Sequence, residues 1–503
     1  MSAFFLAVAQ ANPVANAAAA EPMTEIGIYV HAFFLVLALG LPFLVLTLEA
    51  LGIRKKDHDY THGAKIISQV WAVSFAFGAI TGTFVEFGLY LVWPGTILAI
   101  SSFWFIPFIG DLSAFLIEFS FLIAYLHFWE KINPWIHWLL GWGILIGSNL
   151  SAVAILAANA WMQMPWGTGL LVNKILPWVP DLGPNVVNET AFQVIFRTAA
   201  NTGPLNLANT NATSSLGFLL YDPTIVLSNP NTIVTSAHTI LAALIIAAFE
   251  TAAVFSYSYL RGGNIKQRPF YLKIMKVAYG IGSIAMFAQA FAGDQQARVL
   301  YNYERLQFIT IEGTPAKGSI DPPIGMLLYA NPYHFFQGYD FYNSTATGSI
   351  DPSVVVQSVN SAAAAQPLLH PLYYTMVFSG LVLLIFGIAF FGLFVPKIDR
   401  LVRFVTTLPT ERFLIYTSLV APFIGLVAGA SGWAIREMGR HPWTVMGLIQ
   451  YTQVVTPLPI TPAFSAGIIG LEVLMFIGGC ITLYLVPTRS LEKGQEEIVV
   501  VRA

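Results

Sequence analysis

Long apolar stretches, separated by short polar ones, set the pattern of this chain. They lie near residues 24 to 52, 66 to 94, 100 to 128, 135 to 162, 232 to 260, 270 to 293, 370 to 395, 412 to 436 and 463 to 487. Each is long enough for the roughly 20 residues an α-helix needs to cross a bilayer. The pattern predicts an all-α, polytopic membrane protein with about nine transmembrane helices. Residues 1–23 read as an N-terminal leader, without the basic segment that opens a cleaved signal peptide. The rest divides into helices one to four (24–162), an outer loop (163–231), helices five and six (232–293), a second outer loop (294–369), helices seven to nine (370–487) and a cytoplasmic tail (488–503). No internal repeat stands out, so an inverted-repeat transporter finds no support.

Charge then orients the pattern. Arg54, Lys55, Lys56 and Lys65 follow the first run, Arg261, Lys266, Arg268, Lys273 and Lys276 the fifth, Lys397, Arg400, Arg403 and Arg412 the seventh, and Arg489 and Lys493 the ninth. Short basic loops stay in the cytoplasm. The expectation is a cell-membrane protein with its N-terminus outside, its C-terminus in the cytoplasm and both long loops outside.

Composition narrows the function. Of 503 residues, 56% are hydrophobic and 10% charged, against about 25% charged in a soluble domain, which excludes an ordinary soluble enzyme. Lys and Arg number 24 and Asp and Glu 26, so no positive excess exists to hold nucleic acid. The single cysteine, Cys480, excludes a disulfide framework, a Cys-ligated iron–sulfur cluster and heme attached through Cys-x-x-Cys-His.

Ionisable residues inside the runs need a reason, because each costs at least about 2.5–3.5 kcal/mol to insert at mid-membrane. They are His31, Glu86, Asp111, Glu118, His238, Glu250 and Glu437. Taken singly, each can be a hydrogen-bonded structural residue or one that snorkels to the interface. Placement changes the reading. In the predicted orientation His31, His238 and Met376 lie early in inward-running helices and Glu437 ends an outward-running one, so four potential iron ligands share one depth in the outer half of the bilayer. A His and Met pair fills both axial positions of an electron-transfer heme, whereas a single His or carboxylate leaves one open. Trp433, Glu437 and Arg440 follow at i, i+4 and i+7, a spacing that puts an aromatic plate, a carboxylate and a guanidinium on one helical face. That suits a porphyrin and its propionates, and equally a Glu and Arg pair at a helix end. On the third run Asp111 and Glu118 are seven apart and share a face, next to a fourth run carrying Ser148, Asn149, Ser151 and Asn159. Such polar positions suit close helix packing or a proton path.

These residues carry a resemblance to subunit I of cytochrome bd quinol oxidases, spanning Tyr29-Val30-His31 through Trp443. Its most specific stretches are Gly147 to Pro165, with Gly-Ser-Asn-Leu-Ser-Ala and Asn-Ala-Trp-Met-Gln-Met-Pro, and Gly432 to Trp443. Thr81 to Phe87, with Glu86 as its acid, and Ala237-His238-Thr239 are weaker. The resemblance implies a membrane oxidase that takes electrons from quinol and reduces oxygen to water with three hemes: a low-spin b, a high-spin b, and a d or further b. It implies His238 and Met376 as ligands of the low-spin heme and His31 and Glu437 as ligands of the closely spaced pair, without deciding which holds which. A second membrane subunit is implied as partner, and a small single-span subunit is allowed.

The chain departs from the family pattern in places. Tyr374 stands where an Arg is frequent, two residues before Met376, and His441 stands for the Gln of Gly-Arg-Gln-Pro-Trp. Gly110 occupies an acid position, with Asp111 beside it. In the second outer loop Glu312 matches the quinol-associated acid, but Gln307 replaces its Lys. The expected route runs from quinol through the His238 and Met376 heme to the pair at His31 and Glu437, with protons from the cytoplasm past Asp111 and Glu118. The rival readings are a heme-free polytopic ion or solute transporter and a heme-poor scaffold.

Overall fold

The computed structural model describes residues 12–189, 222–261, 267–394 and 409–501. Among them, nine helices are long and apolar enough to cross a membrane. In chain order the spanning helices are α1 (Pro13–Lys55), α2 (His58–Val92), α3 (Pro94–His127), α4 (Pro134–Gln163), α6 (Pro230–Leu260), α7 (Arg268–Tyr303), α11 (Pro352–Phe394), α12 (Thr410–Met438) and α14 (Pro462–Val501). Shorter elements between them are α5 (Leu171–Ile175), α8 (Arg305–Glu312), α9 (Pro322–Tyr329), α10 (Tyr339–Ser344) and α13 (Tyr451–Val454). Two small antiparallel pairs complete the chain: Ser319–Ile320 with Phe335–Phe336, and Trp443–Val445 with Ile449–Gln450.

The helices run past the predicted apolar stretches. Residues 13–23, read as leader, form the first turns of α1: Asn12 caps Val14, Pro13 takes the first position, and Asn16 donates to the carbonyls of Thr456 and Leu458 at 2.8 Å. Pro at the first turn and a run of alanines favour helix whatever their hydropathy. Likewise α7 reaches Tyr303 and α11 starts at Pro352, behind an Asp351 that accepts from Ser353 N at 3.1 Å. The segment between α7 and α11 is therefore shorter than the predicted loop 294–369. The predicted tail continues α14 to Val501. Part of the first outer loop (190–221) and the basic residues Lys266, Lys397, Arg400 and Arg403 lie outside the described residues.

Packing centres on α1, which lies against α2, α4, α6, α7 and α14. Close approach to α6 requires Gly40, where a Cβ would come within 2.4 Å of the Ala243 carbonyl oxygen; small residues are the usual means of such contact between membrane helices. One apolar core fills the bundle around Leu44, Trp71, Phe249 and Tyr279. A second joins the ends of α1 and α4 to the connecting segments through Trp161, Phe308, Trp443 and Val455. The connections thus form a packed cap over one end of the bundle, and the polar residues of interest lie just beneath it.

Candidate functional site

The last turns of α12 organise the site. Gly432 faces α11 so closely that a Cβ would lie 2.9 Å from the Met376 sulfur. One turn on, Arg436 reaches both sides: its Nε donates to Asn159 Oδ1 of α4 at 2.5 Å and its Nη1 to Thr235 Oγ1 of α6 at 3.0 Å, one turn before His238. Glu437 accepts from Asn159 Nδ2 at 3.0 Å through Oε1 and from Arg440 Nη2 at 2.7 Å through Oε2. The predicted single helical face of Trp433, Glu437 and Arg440 needs correction. The helix ends at Met438 and Arg440 sits in the following turn, where the backbone goes on with the tighter Arg440 N–H to Glu437 carbonyl bond and the guanidinium meets the carboxylate. The two groups meet, by a turn rather than by helical spacing.

His31 is held from α2. Its Nδ1 lies 3.1 Å from the Gly78 carbonyl oxygen, an acceptor only, so Nδ1 carries the proton and Nε2 is left bare. A metal-ligating His is oriented in this way. Gly82 makes room for the ring, since a Cβ there would meet Cε1 at 2.8 Å. For His238, the amide nitrogen of Gln289 on α7 lies 3.3 Å from each ring nitrogen. Among the described residues no group of three or more His, Cys, Asp or Glu could hold a bare metal ion. Single, separated ligands suit a metal that brings its own equatorial donors.

The fit to such an anionic macrocycle rests on donors that nothing satisfies. Arg440 Nε and Nη1, Arg436 Nη2 and Trp433 Nε1 are buried without hydrogen-bond partners. An unpaired buried polar group costs about 1–3 kcal/mol and a charged one more, so four together beside Glu437 form an arrangement awaiting carboxylates. The propionates of a heme would supply such carboxylates. Glu304, bonded by Gln163 Nε2 at 2.7 Å, adds an acid whose pKa burial raises to about 7. His441 is shifted down by burial and then by Arg440, and its Nε2 is 3.8 Å from Glu21 of α1.

The acids form a second group. Ser151 of α4 donates to Asp111 of α3. Glu118 is buried (5% exposed) where α3 meets α4 at Gly147, and its Oε1 has no partner. Glu86 of α2 lies within electrostatic range of Asp111. Ser148 and Asn149 do not join them, because both bond to the Leu145 carbonyl of their own helix, at 3.2 and 2.8 Å. Glu250 of α6 lies in range of Cys480 instead. Glu312, at the end of α8, accepts from Tyr374 Oη at 3.0 Å. Burial raises its pKa, the Tyr374 and Tyr373 bonds opposing. Tyr374, which replaces an Arg of the family pattern, thereby links the connecting segment to the helix of Met376.

Several residues escaped the sequence reading. Arg436 lies within the quoted motif but off the presumed face, and only the meeting of α4 and α6 reveals its role. Glu25 lies near Glu437 and Arg440, hidden by its assignment near a helix start. Glu472, 3% exposed on α14, and the buried trio Glu49, Tyr125 and His137 were also passed over. The apolar runs around them mask single polar positions.

Comparison with known proteins gives the family and the fold. The family model for cytochrome bd terminal oxidase subunit I matches residues 22–494. A Bacillus subtilis (strain 168) protein named cytochrome bd ubiquinol oxidase subunit 1 is 24% identical over 93% of this chain and 91% of its own length. Cytochrome bd-II ubiquinol oxidase subunit 1 of Escherichia coli (strain K12) is 23% identical over 91% of each. The solved structure of bd oxidase from Geobacillus thermodenitrificans superposes with a TM-score of 0.70 at 20% identity, covering 96% of this chain and 100% of that one.

Proposed function

From the premise that the chain belongs to the cytochrome bd terminal oxidase subunit I family, a membrane oxidoreductase family, we propose how its residues divide the work of quinol oxidation and oxygen reduction. The transporter reading has no support in this family. Bound heme supplies the electron transfer and oxygen chemistry that side chains lack. His238 and Met376 would ligate a low-spin b heme, which would serve electron transfer. His31 and Glu437 would each hold one of a pair, a high-spin b and a d or further b, which would supply the oxygen chemistry. Arg436, Arg440 and Trp433 would bind the heme carboxylates, an assignment carried by their unpartnered donors beside Glu437.

Protons would be held and passed by Asp111 and Glu118, with Glu86 at their side. Glu312 and Tyr374 would bind the quinol headgroup between the cap and α11. The end carrying Lys55, Lys65 and Lys273 would face the cytoplasm and the capped end the outside, by the basic-loop rule. Charge separation then needs no pump: electrons enter from the outer face and protons from the inner. A second membrane subunit belongs to such an oxidase.

The test is an absorbance spectrum of the purified complex, reduced by quinol. Heme bands that quinol reduces and oxygen reoxidises are expected. A colourless preparation, or bands that quinol leaves oxidised, would overturn the proposal.

A further inference from the structure

Glu472 has no place in the scheme above, yet it is a buried acid in the middle of a membrane helix. It is 3% exposed on α14, a helix otherwise largely turned outward. Its Oε2 is buried without a hydrogen-bond partner. Its Oε1 presses on α1 at Gly27, where a Cβ would come within 2.6 Å, and Val85 of α2 closes the third side. A carboxyl that merely tied helices together would need a partner to bond, and this one faces a glycine.

The register of the three helices places it relative to His31. Glu472 meets Gly27, and seven residues on in both chains Gly479 meets Phe34, so α14 and α1 run parallel and in step. His31 follows Gly27 by four residues, one turn along the same face. On the antiparallel α2, Gly82 meets His31 while Val85, one turn away, meets the level of Glu472. Three contacts agree that the carboxyl lies one turn toward the capped end from His31, beside the same groove between α1 and α2.

We propose that Glu472 is a proton-accepting site for the redox group bound through His31: a carboxylate that takes up one proton as an electron arrives there, so that the added negative charge is compensated locally. The step moves one proton from the aqueous phase to one carboxylate oxygen, forming one O–H bond, and the electron is the one the oxidase already delivers. This inference rests on the assignment of His31 as a ligand. Among titratable groups on the packed helices, His31 lies one turn away on α1, Glu86 follows Val85 on α2, and Cys480 lies two turns on along α14, on the side of Glu250. Glu25 of α1 belongs to the Glu437 and Arg440 cluster.

The experiment is a redox titration, at several pH values, of the heme whose band His31→Ala removes, with infrared difference spectra of the same samples. In the wild type the midpoint potential should fall with rising pH and a protonated-carboxyl band should change on reduction. Glu472→Gln keeps size and shape, and should reduce the pH slope to roughly half or less and remove the band. Gly27→Ala displaces the carboxyl without touching an acid or a ligand, and should shift the band. An unchanged slope and an unchanged band in both variants would overturn the inference. His31→Ala keeps the two readings apart: if it removes a heme while Glu472→Gln changes nothing, only the Glu472 proposal fails, and if it leaves every heme in place, the ligand assignment fails as well.

Discussion

Two buried polar clusters sit at opposite ends of the bundle, and they differ in how fully their bonds are made. At the basic end, Glu49 accepts from Tyr125 Oη and from His137 Nδ1, both at 2.6 Å, and His137 Nε2 lies 2.9 Å from the Tyr125 carbonyl oxygen. None of these side-chain atoms is left over. At the capped end, Arg436 and Arg440 bond to Asn159, Thr235 and Glu437, yet three of their nitrogens and the Trp433 nitrogen remain unpaired. A closed network of this kind joins α1, α3 and α4 and asks for nothing more. An open one is costly to keep, and persists where a ligand completes it.

The comparison can be broken by changing one residue in each cluster. Glu437→Ala should have the largest effect on function, abolishing oxygen uptake and disturbing the spectrum of the heme pair, because the proposed ligand is removed and Arg440 is left buried without its partner. Full turnover by this variant would contradict the ligand role. In the closed cluster, Glu49→Leu or His137→Leu should lower thermal stability in detergent by about 1–3 kcal/mol, the usual cost of leaving a buried polar partner unsatisfied, while the folded fraction keeps every heme band. Loss of a heme band there would mean that the closed cluster also serves a cofactor.

Glu118→Gln has an intermediate expected effect. It keeps a hydrogen-bonding amide and most of the packing against Gly147 but cannot pass a proton, so the variant should fold, bind its hemes and consume oxygen much more slowly with quinol. Wild-type oxygen consumption would make Glu118 structural and send the proton route elsewhere. The smallest effect is expected from Glu304. Its folded pKa is raised by burial from 4.5 to about 7, so it favours the folded state fully below pH 4.5 and loses that contribution as pH rises through 7. Thermal melts of Glu304→Gln should show a flatter pH dependence across this window, and an unchanged profile would mean that the acid is not buried as described.

How much of this was legible in the sequence follows from the range of each signal. Apolar runs mark where a helix crosses the bilayer, so the spanning helices were readable. Their ends were not, because Asn12 and Asp351 start α1 and α11 in segments too polar to register as membrane. His31, His238, Glu118 and Glu437 stood out because an ionisable residue in an apolar run is conspicuous. Arg436 did not, since its partners Asn159 and Thr235 are 277 and 201 residues away and only packing brings them together. Ser148 and Asn149 misled for the converse reason: a polar residue in a helix can satisfy itself on its own backbone.

The most direct test of the central claim is the reduced low-temperature spectrum of Met376→Leu, set beside that of His238→Ala. Each variant empties one axial position of the proposed low-spin heme. The account predicts that in both the low-spin b band disappears or turns high-spin while the signals of the other two hemes stay in place. A low-spin b band unchanged in either variant would contradict it.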